Sequence, residues 1–230
     1  MPIKLAVLVS GRGSNLEAIL KAIANGELDA QVQLVLSNRA QVAALEIARR
    51  YGVDVFAVES KGLSRREHEQ CLLQYIDKYK IDFVVLAGYM RVLTRHFLQH
   101  FQDPAGYYKV INIHPSLLPS FPGRSAYEDA FAYGVRVSGV TVHLLDDLVD
   151  HGPILAQESY LRLESDTLET FQARGLAIEH VLYPAVLQSI SRQGIRLLPK
   201  TRHIEKAEAV AAASGSCETV RIRRGAKECQ

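Results

Sequence analysis

From Ile3 to Gly88 the chain alternates short apolar runs with segments of helical period. The runs are IKLAVLV, VQLVLS, VDVFAV and IDFVVLAG, and between them lie Asn15 to Asn25, Gln41 to Tyr51 and Arg65 to Tyr79. Runs in which apolar residues stand side by side, rather than only at every second position, suit strands covered on both faces, and helical crossovers supply that cover. The expectation for this half is a doubly wound α/β sheet with right-handed connections.

Beyond YKVINIH the pattern changes. VSGVTVHLLD and ILAQESYLRL lie close together around a Gly-Pro turn with no room for a helix between them, so they are expected to pair antiparallel. The sheet is therefore mixed but mostly parallel, with helices on both faces. A long helix is expected from near Asp166, with Glu169 placed for a capping box, a kink at Pro184 and a stop at Gly194. Residues 1–199 form the expected catalytic domain. Residues 200–230, with KAEAVAAASGS and the basic end RIRRGAKECQ, carry too few large apolar residues to add a core, and a mobile tail is expected there.

Composition excludes several classes. The formal charge is only +2, and the 27 basic residues are spread along the chain, which argues against a nucleic-acid groove or a membrane surface and for small-molecule partners. LAVLV is far too short for a membrane span and lacks the flanks of a signal peptide, so a cytoplasmic protein is expected. Cys71, Cys217 and Cys229 form no CxxC pair and lie beside no histidine cluster. Neither a disulfide framework nor a metal site is indicated.

Immediately after the first strand comes SGRGSNL, Ser10 to Leu16. A strand, a glycine turn and a helix N-terminus aim backbone N–H groups and a positive dipole end at one spot, which suits a phosphate. The plain alternative is a tight turn with Ser14 as N-cap. A dinucleotide fits less well, because Leu16 stands where a third glycine belongs and LVLSNRA offers Ser37 and Asn38 where an acid would close the second strand.

The second polar feature is INIHPSLLPSFPG, Ile111 to Gly123. Open α/β sheets bind ligands outside the carboxyl ends of their strands, where Asn112 and His114 would lie on one face with Ile113 between them. An amide and an imidazole side by side can donate to an oxygen that becomes negative, and the imidazole can also move a proton. Pro115, Pro119 and Pro122 would hold the exit loop in one conformation. A carboxylate from HLLDDLVDHGPI would orient His114; Asp146, Asp147 and Asp150 all compete, and spacing does not choose among them.

Taken together, SGRGSNL, VLAGYMRVL, INIHPSLLPSFPG, GVTVHLLDDLVDHGPI and EHVLYP resemble the phosphoribosylglycinamide formyltransferases, folate-dependent enzymes of purine synthesis within the formyl-transfer folate superfamily. The resemblance covers about residues 3 to 198. It implies that Gly13, Ser14 and Asn15 hold a substrate phosphate, that Glu179 meets its ribose, and that Asn112, His114 and Asp150 form a catalytic trio. It further implies a folate lying against Met90, Arg91, Val92 and Leu93, with the backbone of Leu144 to Asp150, Asp146 and Asp147 included, around its pterin and Arg66 near its glutamate end. Met90 to Leu93 read equally well as core lining, and Arg66, beside Arg65, as part of a solvated helix face. The chain departs from the pattern at Arg124 and Ser125, and Ser120 stands where a lysine would give a phosphate partner.

The implied reaction transfers a formyl group from 10-formyltetrahydrofolate, as co-substrate, to the amine of glycinamide ribonucleotide, without a metal. A homodimer is left open. The nearest rival is a formyltetrahydrofolate hydrolase, in which water replaces the amine. A non-catalytic nucleotide-binding module is the more distant one, since it gives no reason for Asn112, His114 and Asp150 to converge.

Overall fold

Alternate residues of β1 (Ile3–Val9) enter two separate cores, which fixes the layering of the molecule. In the computed structural model, which describes residues 1–195 and Leu197, Leu5, Val7 and Val9 pack on one face and Ala6 and Leu8 on the other. The first face is covered by α1 (Ser14–Ala24), α2 (Ala43–Arg50) and α6 (Leu168–Gln193), the second by α3 (Arg65–Ile76) and α4 (Arg95–His100). With both faces covered, β4 (Phe83–Leu86) is buried at every residue, as its unbroken apolar run demands.

The seven strands run in the order β3-β2-β1-β4-β5-β6-β7, with β2 (Ala30–Ser37), β3 (Asp54–Ala57), β5 (Val110–His114), β6 (Val137–Leu144) and β7 (Ile154–Leu161) completing the set. The first five strands pair parallel; β6 is antiparallel to β5 and β7 to β6. This is the expected mixed, doubly wound sheet. Chain order reverses between β1 and β4, so a crevice opens at their carboxyl ends. Ser10 ties three strand ends together there, donating to Asn38 Oδ1 at 2.6 Å and accepting from the Met90 N–H at 2.8 Å. On the α6 side, the fully buried Tyr183 sends its hydroxyl to the carbonyls of Leu86 and Ile111, both at 3.0 Å.

Three local expectations are corrected. Ser14 is the first helical residue and not the cap of α1; Gly13 holds the cap position in the left-handed region, with φ 81° and no side-chain cap. The long helix begins at Leu168, and its capping box is made by Thr167 and Thr170 rather than by Glu169. Asp166 is instead paired to Arg174 through two 2.7 Å bonds, which, with its other hydrogen bonds, hold its carboxyl well below the usual range. One continuous helix runs through Pro184 and ends, as expected, at Gly194.

Two short helices had no sequence signal: α4 and α5 (Ala126–Tyr133). Among the described residues no helix is long and apolar enough to cross a membrane. The expected tail, 200–230, lies outside the described residues.

Candidate active site

A cavity of about 540 Å³ opens at the carboxyl ends of β1, β4 and β5. One end is formed by the turn between β1 and α1. Here Gly13 is pinned: a Cβ added to it would lie 2.7 Å from Ala44 Cα in α2, and its positive φ disfavours any side chain. The Ala44 N–H also donates to the Gly11 carbonyl at 3.2 Å. Gly13, Ser14 and Asn15 all border the cavity, with Arg12 and Arg39 beside them. The first-turn N–H groups of α1 have no partners within the helix, so their dipole ends face this space.

The side chain of Asn15 is engaged elsewhere. Its Nδ2 donates to Glu179 Oε2 at 2.5 Å, and the Tyr127 hydroxyl donates to Glu179 Oε1 at 2.7 Å. Glu179 reaches the same cavity from α6 and is buried.

The other end is built on β5. Asn112 and His114 both border the cavity, as their alternation along one strand requires. Asn112 lies directly across from His143 in the antiparallel β5–β6 pair. His143 places Nδ1 2.9 Å from the Leu144 carbonyl, so Nδ1 bears the proton and Nε2 the lone pair. That lone pair accepts from Asn112 Nδ2 at 3.2 Å. The amide is thereby oriented, with its second N–H free. Burial pushes the His143 pKa down, against opposing contributions from the Leu144 carbonyl and Asp150, which keeps this ring a neutral acceptor. Between Val142 and His143 the β6–β7 register slips by one residue, a bulge beside the site.

His114 is held by the exit loop. Its Nε2 donates to the Phe121 carbonyl at 2.8 Å, leaving Nδ1 as the nitrogen able to exchange a proton. Nδ1 lies 3.4 Å from Asp150 Oδ2. Asp150 also accepts from the Gly123 N–H at 2.8 Å and approaches His143 Nε2 to 3.7 Å. Phe121 and Asp150 both sit at φ 51°, a left-handed conformation that a phenylalanine rarely adopts. The strained Phe121 is the residue whose carbonyl grips His114.

Geometry also separates the three acids. Asp146 pairs with His151 at 2.7 Å, and Asp147 lies 3.5 Å from Arg95 Nε. Only Asp150 faces His114, although all three border the cavity. Met90, Arg91, Val92 and Leu93 line its wall, and Arg124 ties that wall to the exit loop by donating to the Met90 carbonyl at 2.7 Å.

Two residues of the expected folate set lie outside the cavity lining. Arg66, like Arg65, is exposed on α3 outside the cavity lining, at the start of a helix capped by Ser64 and Glu67. Leu144 is fully buried in the core, outside the cavity wall. Its carbonyl is taken up by His143 and lies so close to Gly152 that no side chain fits there. Sequence reasoning missed His143 and Tyr127. His143 carries a signal only once β6 is registered against β5, opposite Asn112.

The sequence model of the formyl transferase family matches residues 3–187. Over 188 residues the chain is 39% identical to phosphoribosylglycinamide formyltransferase of Bacillus subtilis (strain 168), covering 81% of this chain and 94% of that one. Over 195 residues it is 38% identical to the Homo sapiens trifunctional purine biosynthetic protein adenosine-3, covering 84% of this chain and 19% of that longer protein. The crystal structure of phosphoribosylglycinamide formyltransferase from Bacillus halodurans superposes with a TM-score of 0.79 at 38% identity, covering 84% of this chain and 97% of that chain. With the family model matching most of the chain and the likeness running along 94% of the Bacillus subtilis protein and 97% of the Bacillus halodurans one, the chain belongs to the formyl transferase family, among its phosphoribosylglycinamide formyltransferases.

Proposed function

We propose that the chain transfers the formyl group of 10-formyltetrahydrofolate to the amine of 5′-phosphoribosylglycinamide, giving the N-formyl product and tetrahydrofolate in purine biosynthesis. The observation that carries this reading is one cavity with a helix N-terminus at one end and an oriented Asn–His–Asp cluster at the other. The first suits a phosphate and the second an acyl transfer. In this reading the N–H groups at Gly13, Ser14 and Asn15 take the phosphate, Glu179 takes the ribose, and the apolar wall from Met90 to Leu93 takes the folate. The proposed compartment is the cytoplasm.

The roles follow from the bonds already made. Asn112 spends one amide N–H on His143 and keeps the other for the formyl oxygen, which becomes negative as the amine adds to the formyl carbon. His114 has only Nδ1 available for proton exchange, so the proton passing from the amine toward the leaving folate nitrogen is handled there, with Asp150 behind it to stabilise the cation. The 3.4 Å gap between them is one that tightens once charge develops. No Ser or Cys sits against a base in this cluster, and direct attack by a neutral amine needs no covalent enzyme intermediate.

Incubating the protein with 10-formyltetrahydrofolate and following tetrahydrofolate release, with and without glycinamide ribonucleotide, tests the reading. Release that depends on the ribonucleotide is expected. Release at the same rate in its absence would identify a hydrolase instead.

A further inference from the structure

Tyr127 has no part in the reaction as derived above, yet it is one of the most constrained side chains at the nucleotide end. Its hydroxyl, from α5, and Asn15 Nδ2, from α1, take opposite oxygens of the Glu179 carboxylate on α6. Burial, with the adjacent Glu179 charge, raises the Tyr127 pKa far above the ordinary range, so the hydroxyl stays protonated and remains a donor. The ring fits against bare backbone. A Cβ at Gly175 would lie 2.5 Å from Tyr127 Cε1 and closer still to its hydroxyl oxygen. Phe171, one helical turn before Gly175, meets the same ring edge-on with centroids 6.2 Å apart.

The same cluster leaves one atom over. Asn15 is 8% exposed, and its Oδ1 has no hydrogen-bond partner. Turning the amide over would set that oxygen against the Glu179 carboxylate, so the orientation is fixed. A buried acceptor without a donor is unfavourable, and Asn15, Tyr127 and Glu179 all border the cavity. The Glu179 carboxylate, held by two donors, presents acceptors only. It repels phosphate and fits hydroxyl groups.

We propose that Tyr127 is a positioning residue that aims Glu179 at the sugar hydroxyls of the ribonucleotide, and that Gly175 is the position that admits it. The inference deepens the ribonucleotide reading of this end and rests on it. Ribose 5-phosphate and 2-deoxyribose 5-phosphate serve as probes, since their binding, followed by calorimetry, does not depend on the reaction. Wild type is expected to prefer ribose. Tyr127→Phe, which deletes one oxygen and keeps the ring, should weaken ribose 5-phosphate about tenfold. It should leave the deoxy sugar and the KM for the folate donor nearly unchanged, so the preference collapses. Gly175→Ala keeps the hydroxyl but drives it off Glu179, and should give the same signature. Unchanged affinity in Tyr127→Phe, or equal weakening of both sugars and the folate, would overturn the positioning role. A wild type that shows no ribose preference and forms no formyl product would instead overturn the ribonucleotide reading beneath it.

Discussion

The two ends of the cavity are ordered by different means. At the nucleotide end each polar group rides on a helix and is braced by another: Gly13 against Ala44 of α2, and Glu179 of α6 between Asn15 of α1 and Tyr127 of α5. At the reacting end the side chains of Asn112 and His114 come from a strand, but His114 and Asp150 are held by loop backbone, the Phe121 carbonyl and the Gly123 N–H. Leu148 and Val149, just before Asp150, are 61% and 54% exposed. Close-packed helices tolerate little change in volume, whereas loop backbone held by a few hydrogen bonds opens at low cost. Substitutions at the first end should therefore register in stability and nucleotide affinity, and at the second in turnover.

The largest expected effect lies at the reacting end. Asp150→Asn keeps an oxygen that can accept from Gly123, so the loop stays in place, but it removes the charge facing His114 Nδ1. Turnover is expected to fall about a hundredfold or more. Nucleotide affinity measured by calorimetry should stay within about twofold, because Gly13 and Glu179 are untouched. If the fall in turnover came with an equal loss of nucleotide affinity, the two ends would not be separately built.

Gly13→Val is the converse. The new side chain would point into Ala44 rather than into the cavity, so it acts on the fold before it acts on a phosphate. Left-handed strain and overpacking together are expected to remove about 3 kcal/mol of stability, or roughly 10 °C in Tm for a domain of this size. A thermal melt decides it. A variant with unchanged Tm and a raised KM for the ribonucleotide alone would show that this turn gives way locally, as loops do.

How much of this was legible beforehand differs between the ends as well. The parallel strands announced themselves as runs dense in apolar residues, and the β6–β7 pair by its tight spacing, because both patterns are set by local burial. The helix α4 is only six residues long, too short to show a period, and α5 buries only Ala126, Tyr127 and Ala130, too thin an apolar stripe to announce a helix. α5 is where Tyr127 lies, so the bracing of Glu179 had no local signal. Asn15 looked like a phosphate ligand beside Ser14, yet its side chain pairs with a residue 164 positions away, a distance no spacing rule spans. Among Asp146, Asp147 and Asp150 the choice depends on the left-handed turn at Asp150, which the residue type tolerates but does not demand.

Acid should separate two buried histidines that differ in place but not in physics. Burial lowers the pKa of both His143, at the reacting end, and His68, on α3 away from the cavity. Each therefore takes up its proton later in the folded protein than in the unfolded chain. The stability this represents is complete above the unfolded value near 6.5 and is lost as pH falls through 6.5 toward each folded pKa. Between pH 7 and 5, before most carboxylates titrate, each histidine contributes at most about 1.4 kcal/mol per pH unit. His68→Gln and His143→Gln should each flatten the dependence of stability on pH, measured by denaturant unfolding. Only His143→Gln should also lower turnover, through the freed Asn112 amide. Loss of turnover in both would mean that α3 and the reacting end are coupled.

The smallest effect tests whether the nucleotide end depends on packing alone. Glu179 lies three turns into α6, whose start is fixed by the reciprocal Thr167–Thr170 bonds and by Asp166 bridging to Arg174. Thr167→Ala removes the cap oxygen and should lower stability by about 1 kcal/mol. The loss falls on the first turn, which frays, while the helix beyond it stays clamped by Phe171 in one core and Tyr183 in another. Glu179 sits between those two anchors and also receives two hydrogen bonds from other helices. A frayed first turn therefore has no path to the carboxylate, and ribose 5-phosphate affinity should match wild type within error. Weakened sugar binding in Thr167→Ala would show that the order of this end is propagated along α6 from its cap rather than imposed by the helices packed around it.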